Sequence, residues 1–296
     1  MNSVLTLAAP KDNLNEAIVA KAIAVLNGAG ATIGDRTWLA NGEALDIAFD
    51  GAEPRAVELD LRGALSDMPV DLFAGPSQGR RKRLLLADMD ATILTSETLD
   101  DLAARVGLKH QVAAITARAM NGELDFEAAV KERVSMLSGL AESALAETYA
   151  KTQMSPGAAT LVRTMRAHGA YCVLVSGGFT YFTSRVAQAC GFHENHANRL
   201  GIVNKALTGK VHEPILGKEE KLTILNRLIS ERRLATAETV AIGDGANDLP
   251  MLQAAGLGVA YRGKPVVTDA ARARIDHTDL RTLLFYQGYG DANFAC

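Results

Sequence analysis

Residues 86–98 read LADMDATILTSET, and this stretch decides how the rest of the chain is read. Leu84, Leu85 and Leu86 form the kind of short apolar run that ends a buried strand. Directly behind it stand Asp88 and Asp90, which alternate along an extended chain and so point the same way. Unpaired carboxylates are costly at the end of a buried strand, so the pair calls for a cation, a substrate or a surface position.

The same arrangement recurs downstream. Apolar runs at 84–87, 171–175 (YCVLV) and 239–242 (TVAI) are followed at once by DMDAT, SGGF and GDGAND. This predicts an α/β fold, a Rossmann-like parallel sheet with its functional loops at the carboxyl ends of the strands. Between the first two strands, residues 97–155 are mostly helical in pattern and far longer than an ordinary crossover, which predicts an inserted helical cap.

Ahead of this core the pattern differs. Strands at 3–8, 31–39, 44–50 and 69–74 and helices at 12–27 and 53–66 are expected, with Asn41-Gly42 as a hairpin turn. The order β-α-β-β-α-β is that of a small α+β ferredoxin-like module. GPSQGRRKR (75–83) reads as a linker, so two domains are expected, 1–78 and 79–296.

The 296-residue length fits two domains, and 48% apolar residues are ample for sizeable cores. A formal charge of −3 gives no reason to expect nucleic acid or an anionic membrane. The basic run Arg80–Arg83 has no aromatic partners and reads as a solvated linker. Cys172, Cys190 and Cys296 suit a reduced compartment better than a disulfide framework. No secretory signal is visible and the apolar runs are too short to span a bilayer, so a cytoplasmic protein is expected.

Asp88 and Asp90, with Asp244 and Asp248 of GDGANDLP, could converge at one edge of the sheet. Such a hard-oxygen site suits Mg²⁺, which takes one or two carboxylates and keeps room for water and substrate phosphate. Either pair alone would equally suit a solvated turn. Ser176 and the glycines of VSGGFT offer a hydroxyl and a backbone able to approach an anion closely. Lys221, opening a probable helix, could add positive charge, although a lone helix lysine is usually solvated. Other motifs fail: Leu174 breaks G-x-S-x-G, Asp248 breaks G-x-G-x-x-G, and Ile93 and Leu99 break a calcium loop.

The ordered set D-x-D-x-T (Asp88, Asp90, Thr92), Ser176, Lys221 and G-D-x-x-x-D (Gly243 to Asp248) resembles the haloacid dehalogenase superfamily. The longer segments DMDATILTSETLDDLA, AMNGELDFEAAVKERVSML and AIGDGANDLPMLQAAGLGVAY resemble its phosphoserine phosphatase family, across about residues 84–285. Ala91 stands where that family often has Ser, at no cost to the proposed catalytic groups.

The resemblance implies that Asp88 is the nucleophile, forming an aspartyl-phosphate, and that Asp90 is the general acid and base. It implies Mg²⁺ held by Asp88, the Asp90 carbonyl and Asp244, and phosphate held by Ser176, the Gly177 N–H and Lys221. Asn247 would contact substrate, and Asp248 would support the metal shell or orient Lys221. In the cap, Glu97 would receive the ammonium of O-phosphoserine and Arg133 its carboxylate, with Met120 and Phe126 as apolar lining. The amino-terminal module would be ACT-like, with serine as a regulator or product inhibitor and a homodimer as its further implications.

Overall fold

A computed structural model describes residues 1–120 and 123–295, apart from the side chains of Met120 and Phe126. The amino-terminal elements are β1 (Ser3–Ala8), α1 (Glu16–Gly28), β2 (Thr32–Ala40), β3 (Ala44–Asp50), α2 (Pro54–Ala64) and β4 (Asp71–Pro76). They form an antiparallel sheet of order β2-β3-β1-β4, the ferredoxin-like arrangement. Leu5, Leu7, Ile47 and Phe49 pack there against Val19, Leu26, Val57 and Leu61 of the helices.

Two boundaries move. Helix α1 starts at Glu16 rather than residue 12, because the Asn15 side chain accepts the Ala17 and Ile18 N–H groups and caps it. Strand β4 runs on to Pro76, into the stretch read as linker, because Gly75 and Pro76 still lie opposite Val4 and Ser3.

The second unit comprises β5 (Leu84–Ala87), α3 (Thr98–Ala104), α4 (Lys109–Met120), α5 (Phe126–Ser135), α6 (Ser143–Tyr149), α7 (Ala158–Ala167), β6 (Tyr171–Phe179) and α8 (Thr180–Cys190). It continues through β7 (Glu194–Val203), β8 (Ala206–His212), α9 (Lys218–Arg232), β9 (Thr239–Gly243), α10 (Leu249–Ala254), β10 (Leu257–Tyr261), α11 (Pro265–Ala270), β11 (Ala273–Ile275) and α12 (Thr282–Tyr286). The sheet order is β11-β10-β9-β5-β6-β7-β8.

The central strands β5, β6, β9 and β10 are covered on both faces, which is why they read as apolar runs. Leu85, Ala87, Leu174 and Ile242 face one layer of helices, and Leu84, Leu86, Val173, Val175 and Ala241 the other. The sheet is parallel except at β8, which returns antiparallel along β7. The cause is local: Asn204 and Lys205 both take positive φ (49° and 61°), the requirement of a tight two-residue hairpin.

Helices α3 to α6 form one excursion. The chain leaves and re-enters the core through paired stalks, Thr95 N–H donating to the Gln153 carbonyl (3.0 Å) and Ser155 N–H to that of Ile93 (2.9 Å). Among the described residues no helix is long and apolar enough to cross a membrane.

Within the basic run, Arg81 and Arg83 stay exposed, but Arg80 is not a solvated linker charge. The Arg80 guanidinium donates to Asp46 of β3, to Thr6 of β1 (2.8 Å) and to the Phe285 (3.0 Å) and Tyr286 (3.3 Å) carbonyls of α12. Lys82 donates to the Ala237 carbonyl at 2.8 Å, Arg83 pairs with Glu238, and Arg81 lies over the Tyr289 ring. On the far side, Asp71 of β4 accepts N–H groups from Asp276, His277 and Thr278. These links join the two sheets into one body.

Candidate active site

Strand β5 lies between β9 and β6, so the residues that follow these three strands meet at one edge. Asp88 comes directly after β5, Ser176 lies late in β6, and Asp244 comes directly after β9. After Asp88 the chain makes a wide turn through Met89–Ile93, in which Asp90 is extended and Ala91 takes a positive φ of 53°. That turn brings the Asp90 carboxylate back beside Ser176, whose Oγ donates to Asp90 Oδ2 at 3.1 Å. The Thr98 N–H, at the start of the cap, donates to the other oxygen at 2.9 Å.

Lys221 is fully buried, and its ammonium donates to Asp88 Oδ1 (2.5 Å) and Asp248 Oδ1 (2.6 Å). Asp248 Oδ2 accepts the Asp244 and Gly245 N–H groups, both at 3.1 Å. Close approach explains two glycines. A Cβ on Gly178 would come within 2.7 Å of Asp90 Oδ2, and one on Gly243 within 2.4 Å of the Asp248 carboxylate.

Asp88, Asp90, Glu97, Arg133, Ser176, Gly177 and Asn247 line one cavity, together with Leu99 and Gly178, of about 30 Å³. Asp244, Asp248 and Lys221 lie beneath it, buried. Thus the residues singled out in the core and the charged pair from the cap are brought together. The expectations for Met120 and Phe126 fall on side chains outside the described residues.

Electrostatically the site is crowded with carboxylates. Burial, reinforced by the Asp248 charge and opposed by Lys221, pushes Asp88 well above the usual carboxylate range. Asp90 is raised by burial, against the Thr98 and Ser176 hydrogen bonds. Burial and the Asp248 charge push Asp244 up to about 7. Glu97 is pushed well up by burial and by the fields of Asp90 and Asp244. Burial alone would lower the Lys221 ammonium, but Asp248 and Asp88 outweigh it and hold the group above its ordinary value.

Among the described residues these five carboxyl groups outnumber the cations whose charges act on them, Lys221, Lys264 and Arg133, a poor receptor for a phosphate anion by itself. The residues fit a divalent cation. Carboxylate oxygens of Asp88, Asp244 and Asp248 lie within 4.8 Å of one another. Asp244 Oδ2 is buried without a hydrogen-bond partner, an arrangement costly for a carboxylate unless a cation meets it. Both Asp248 oxygens are already engaged, which leaves Asp88 and Asp244 as the side chains available to a metal.

Two residues of the site were not legible in the sequence. Arg133 Nη1 donates to Thr116 Oγ1 (2.9 Å), and that hydroxyl donates to Asp100 Oδ1 (2.7 Å). Together with the bond from Arg133 Nε to the Ala129 carbonyl (3.1 Å), this holds the guanidinium at the cavity. Thr116 and Asp100 sit on α4 and α3, and nothing in their local sequence distinguishes them from ordinary helix residues. Thr92, present in the motif, reaches Asp244 Oδ1 at 3.3 Å.

Comparisons with known proteins identify the family. The family model described as haloacid dehalogenase-like hydrolase matches residues 85–253. A phosphoserine phosphatase of Streptomyces coelicolor is 39% identical over 247 residues, covering 83% of this chain and 60% of that protein. The chain therefore spans about three fifths of that longer relative. A phosphoserine phosphatase of Lactococcus lactis is 39% identical over 203 residues, covering 69% of this chain and 94% of its own length. Among solved structures, a HAD-family hydrolase from Salmonella enterica serovar Typhi superposes with a TM-score of 0.85 at 28% identity, covering 96% of this chain and 98% of that one. The chain belongs to the haloacid dehalogenase-like hydrolases, within the phosphoserine phosphatase family.

Proposed function

We propose that the protein hydrolyses O-phospho-L-serine to L-serine and phosphate in a Mg²⁺-dependent reaction, the last step of serine biosynthesis, in the cytoplasm. The observation that carries this reading is the one cavity in which Asp88, braced by Lys221, faces both the Asp90–Ser176 pair and the cap residues Glu97 and Arg133. An acid–base pair over a carboxylate nucleophile suits phosphoryl transfer, and a carboxylate beside a guanidinium suits the two charges of an amino acid.

In this reading Asp88 attacks phosphorus and becomes an aspartyl-phosphate, while Asp90 gives its proton to the leaving serine oxygen. Asp90 then takes a proton from the water that hydrolyses the intermediate. Burial, which holds the Asp90 pKa up, favours the protonated form that the first step needs. Ser176, the Gly177 N–H and Lys221 hold the phosphoryl oxygens. Asn247 lines the same cavity with its buried Oδ1 unpaired, free to meet substrate. Asp248 orients Lys221 rather than binding metal. Asp88, Asp244 and the Asp90 carbonyl would hold Mg²⁺, which when bound offsets the repulsion between a carboxylate nucleophile and a phosphate.

The cavity has room for about one water, so admission of an amino-acid phosphate requires the cap to move. Residues 1–78 form an ACT-like domain in this reading, a place for serine as regulator and for pairing into a homodimer. Residues 79–296 form the phosphatase domain, with its cap at about 97–155.

The test is phosphate release from O-phospho-L-serine with Mg²⁺ and with EDTA, beside a panel of other small phosphomonoesters. Metal-dependent preference for phosphoserine supports the whole reading. Metal-dependent activity without that preference keeps the chemistry and overturns the substrate.

A further inference from the structure

Strand β6 does not pair evenly with β7. Val175 lies opposite His196 and Phe179 opposite Asn198, so Ser176, Gly177 and Gly178 are an excursion facing a single residue of β7. Chain that leaves a ladder loses its backbone partners and needs others if it is to stay in place. The Asn198 side chain supplies one, to the Gly177 carbonyl. It is buried, with only 2% of its surface exposed. Its Nδ2 donates to the Gly177 carbonyl at 2.8 Å, and across the Gly177–Gly178 peptide the Gly178 N–H donates to Ser176 Oγ at 2.8 Å. That hydroxyl in turn donates to Asp90, so the peptide plane carrying the anion-binding loop is held from both sides.

The same amide grips a second segment. Asn198 Oδ1 accepts the Leu216 N–H at 2.6 Å, and Nδ2 also donates to the Leu216 carbonyl at 3.2 Å. Leu216 immediately precedes Gly217, the residue that caps α9, and the Gly217 carbonyl accepts the Lys221 N–H at 3.3 Å. One buried amide therefore ties the Ser176 loop to the start of the helix that carries Lys221. An amide is the only short side chain that both donates twice and accepts here; a carboxylate would set its oxygens against two carbonyls.

We propose that Asn198 is a positioning residue for the phosphoryl group, fixing the Ser176–Gly178 loop and Lys221 at one spacing. The inference rests on Ser176, Gly177 and Lys221 binding phosphate, as proposed above. The Asn198 side-chain hydrogen bonds go to Gly177 and Leu216 and none goes to a cap residue.

The experiment compares wild type, Asn198→Ala and Thr183→Ala with Mg²⁺. Thr183 is a control: its buried hydroxyl donates to Asn195 Oδ1 of the same strand at 2.8 Å. Hydrolysis of p-nitrophenyl phosphate and of O-phospho-L-serine is measured, with inhibition by inorganic phosphate and by L-serine. For Asn198→Ala, kcat on both esters falls and the phosphate inhibition constant rises, each by about ten- to a hundredfold, as misplacement of binding groups by under an ångström does. The L-serine constant stays within about twofold, since the cap is untouched, and Thr183→Ala behaves as wild type.

Wild-type phosphate inhibition in Asn198→Ala overturns the proposal, as does an equal loss in Thr183→Ala, which would mark a general structural effect. Failure of wild type on phosphoserine alone would sink the substrate reading and leave the p-nitrophenyl phosphate and phosphate arms intact. If Asn198→Ala does not fold, phosphate is titrated into the ¹⁵N-labelled wild-type chain instead. The Asn198 side-chain amide and Leu216 N–H resonances should move along the phosphate saturation curve, and static resonances refute the coupling.

Discussion

Asp248 holds Lys221 with one carboxylate oxygen at 2.6 Å and with the other closes the turn after β9 by accepting the Asp244 and Gly245 N–H groups. The ammonium is thereby aimed at Asp88, and a conspicuous acidic residue serves as a brace for a cation. This relationship makes Lys221→Met damaging to the site's stability. It leaves Asp88 and Asp248 buried without their partner, and removing one member of such a pair costs ~3–5 kcal/mol. Urea denaturation of the metal-free protein should show the loss, and an unchanged midpoint would contradict the brace.

Asp88→Asn removes the proposed nucleophile and leaves the shape of the site. Turnover should fall by on the order of 10⁴-fold or more, as loss of a nucleophile does elsewhere. Acid-stable, hydroxylamine-sensitive phosphorylation of the chain should disappear with it. Retained labelling would place the nucleophile on another residue.

Arg133→Ala should discriminate between substrates. A charge-assisted hydrogen bond contributes ~1.5–3 kcal/mol, so kcat/KM for phosphoserine should drop by roughly ten- to a hundredfold or somewhat more. Hydrolysis of p-nitrophenyl phosphate should change little. Thr116→Val, which frees the guanidinium from its relay to Asp100, should give a smaller loss of the same kind. Equal losses on all esters would remove the carboxylate-binding role from Arg133.

The raised carboxyl groups set a pH dependence. Asp88, Asp90, Glu97 and Asp244 bind protons more tightly in the folded chain than in the unfolded one, with Asp244 pushed to about 7. Their contribution to stability is full below about pH 4 and is lost as pH rises through the folded values. Metal-free protein should therefore lose stability from these groups as pH rises above about 4, the Asp244 share going through about pH 7. Mg²⁺ should raise Tm more at pH 7.5 than at pH 5, because there it displaces fewer protons (scanning fluorimetry with and without EDTA). A metal effect independent of pH would count against this cluster as the binding site.

Arg80→Ala should loosen the two sheets from each other. Asp46 would keep its burial and lose its guanidinium, a loss of ~3–5 kcal/mol by the cost of breaking a buried pair. The unfolding transition should broaden or split, with the amino-terminal unit melting first. A single sharp transition at the wild-type midpoint would show that the remaining links suffice.

The sequence alone determined the parallel core and its acidic edge. Strands buried on both faces must be unbroken apolar runs, so Leu84–Ala87, Tyr171–Val175 and Thr239–Ile242 declared themselves, and the polar turns behind them had to gather where the strands end. Asp88, Asp90, Ser176 and Asp244 were therefore legible from local pattern, and Lys221, Glu97 and Arg133 from their place in longer resembling segments. Tertiary structure alone decided what those groups lean on. Asn198 and Thr116 look like ordinary strand and helix residues, and their importance lies in partners brought near by the fold. Arg80 looked like a solvated linker charge until the packing of α12 against β1 and β3 surrounded it with a carboxylate and two carbonyls. A periodic pattern records which face of an element is buried; which polar group meets which depends on distances across the fold that no local pattern carries.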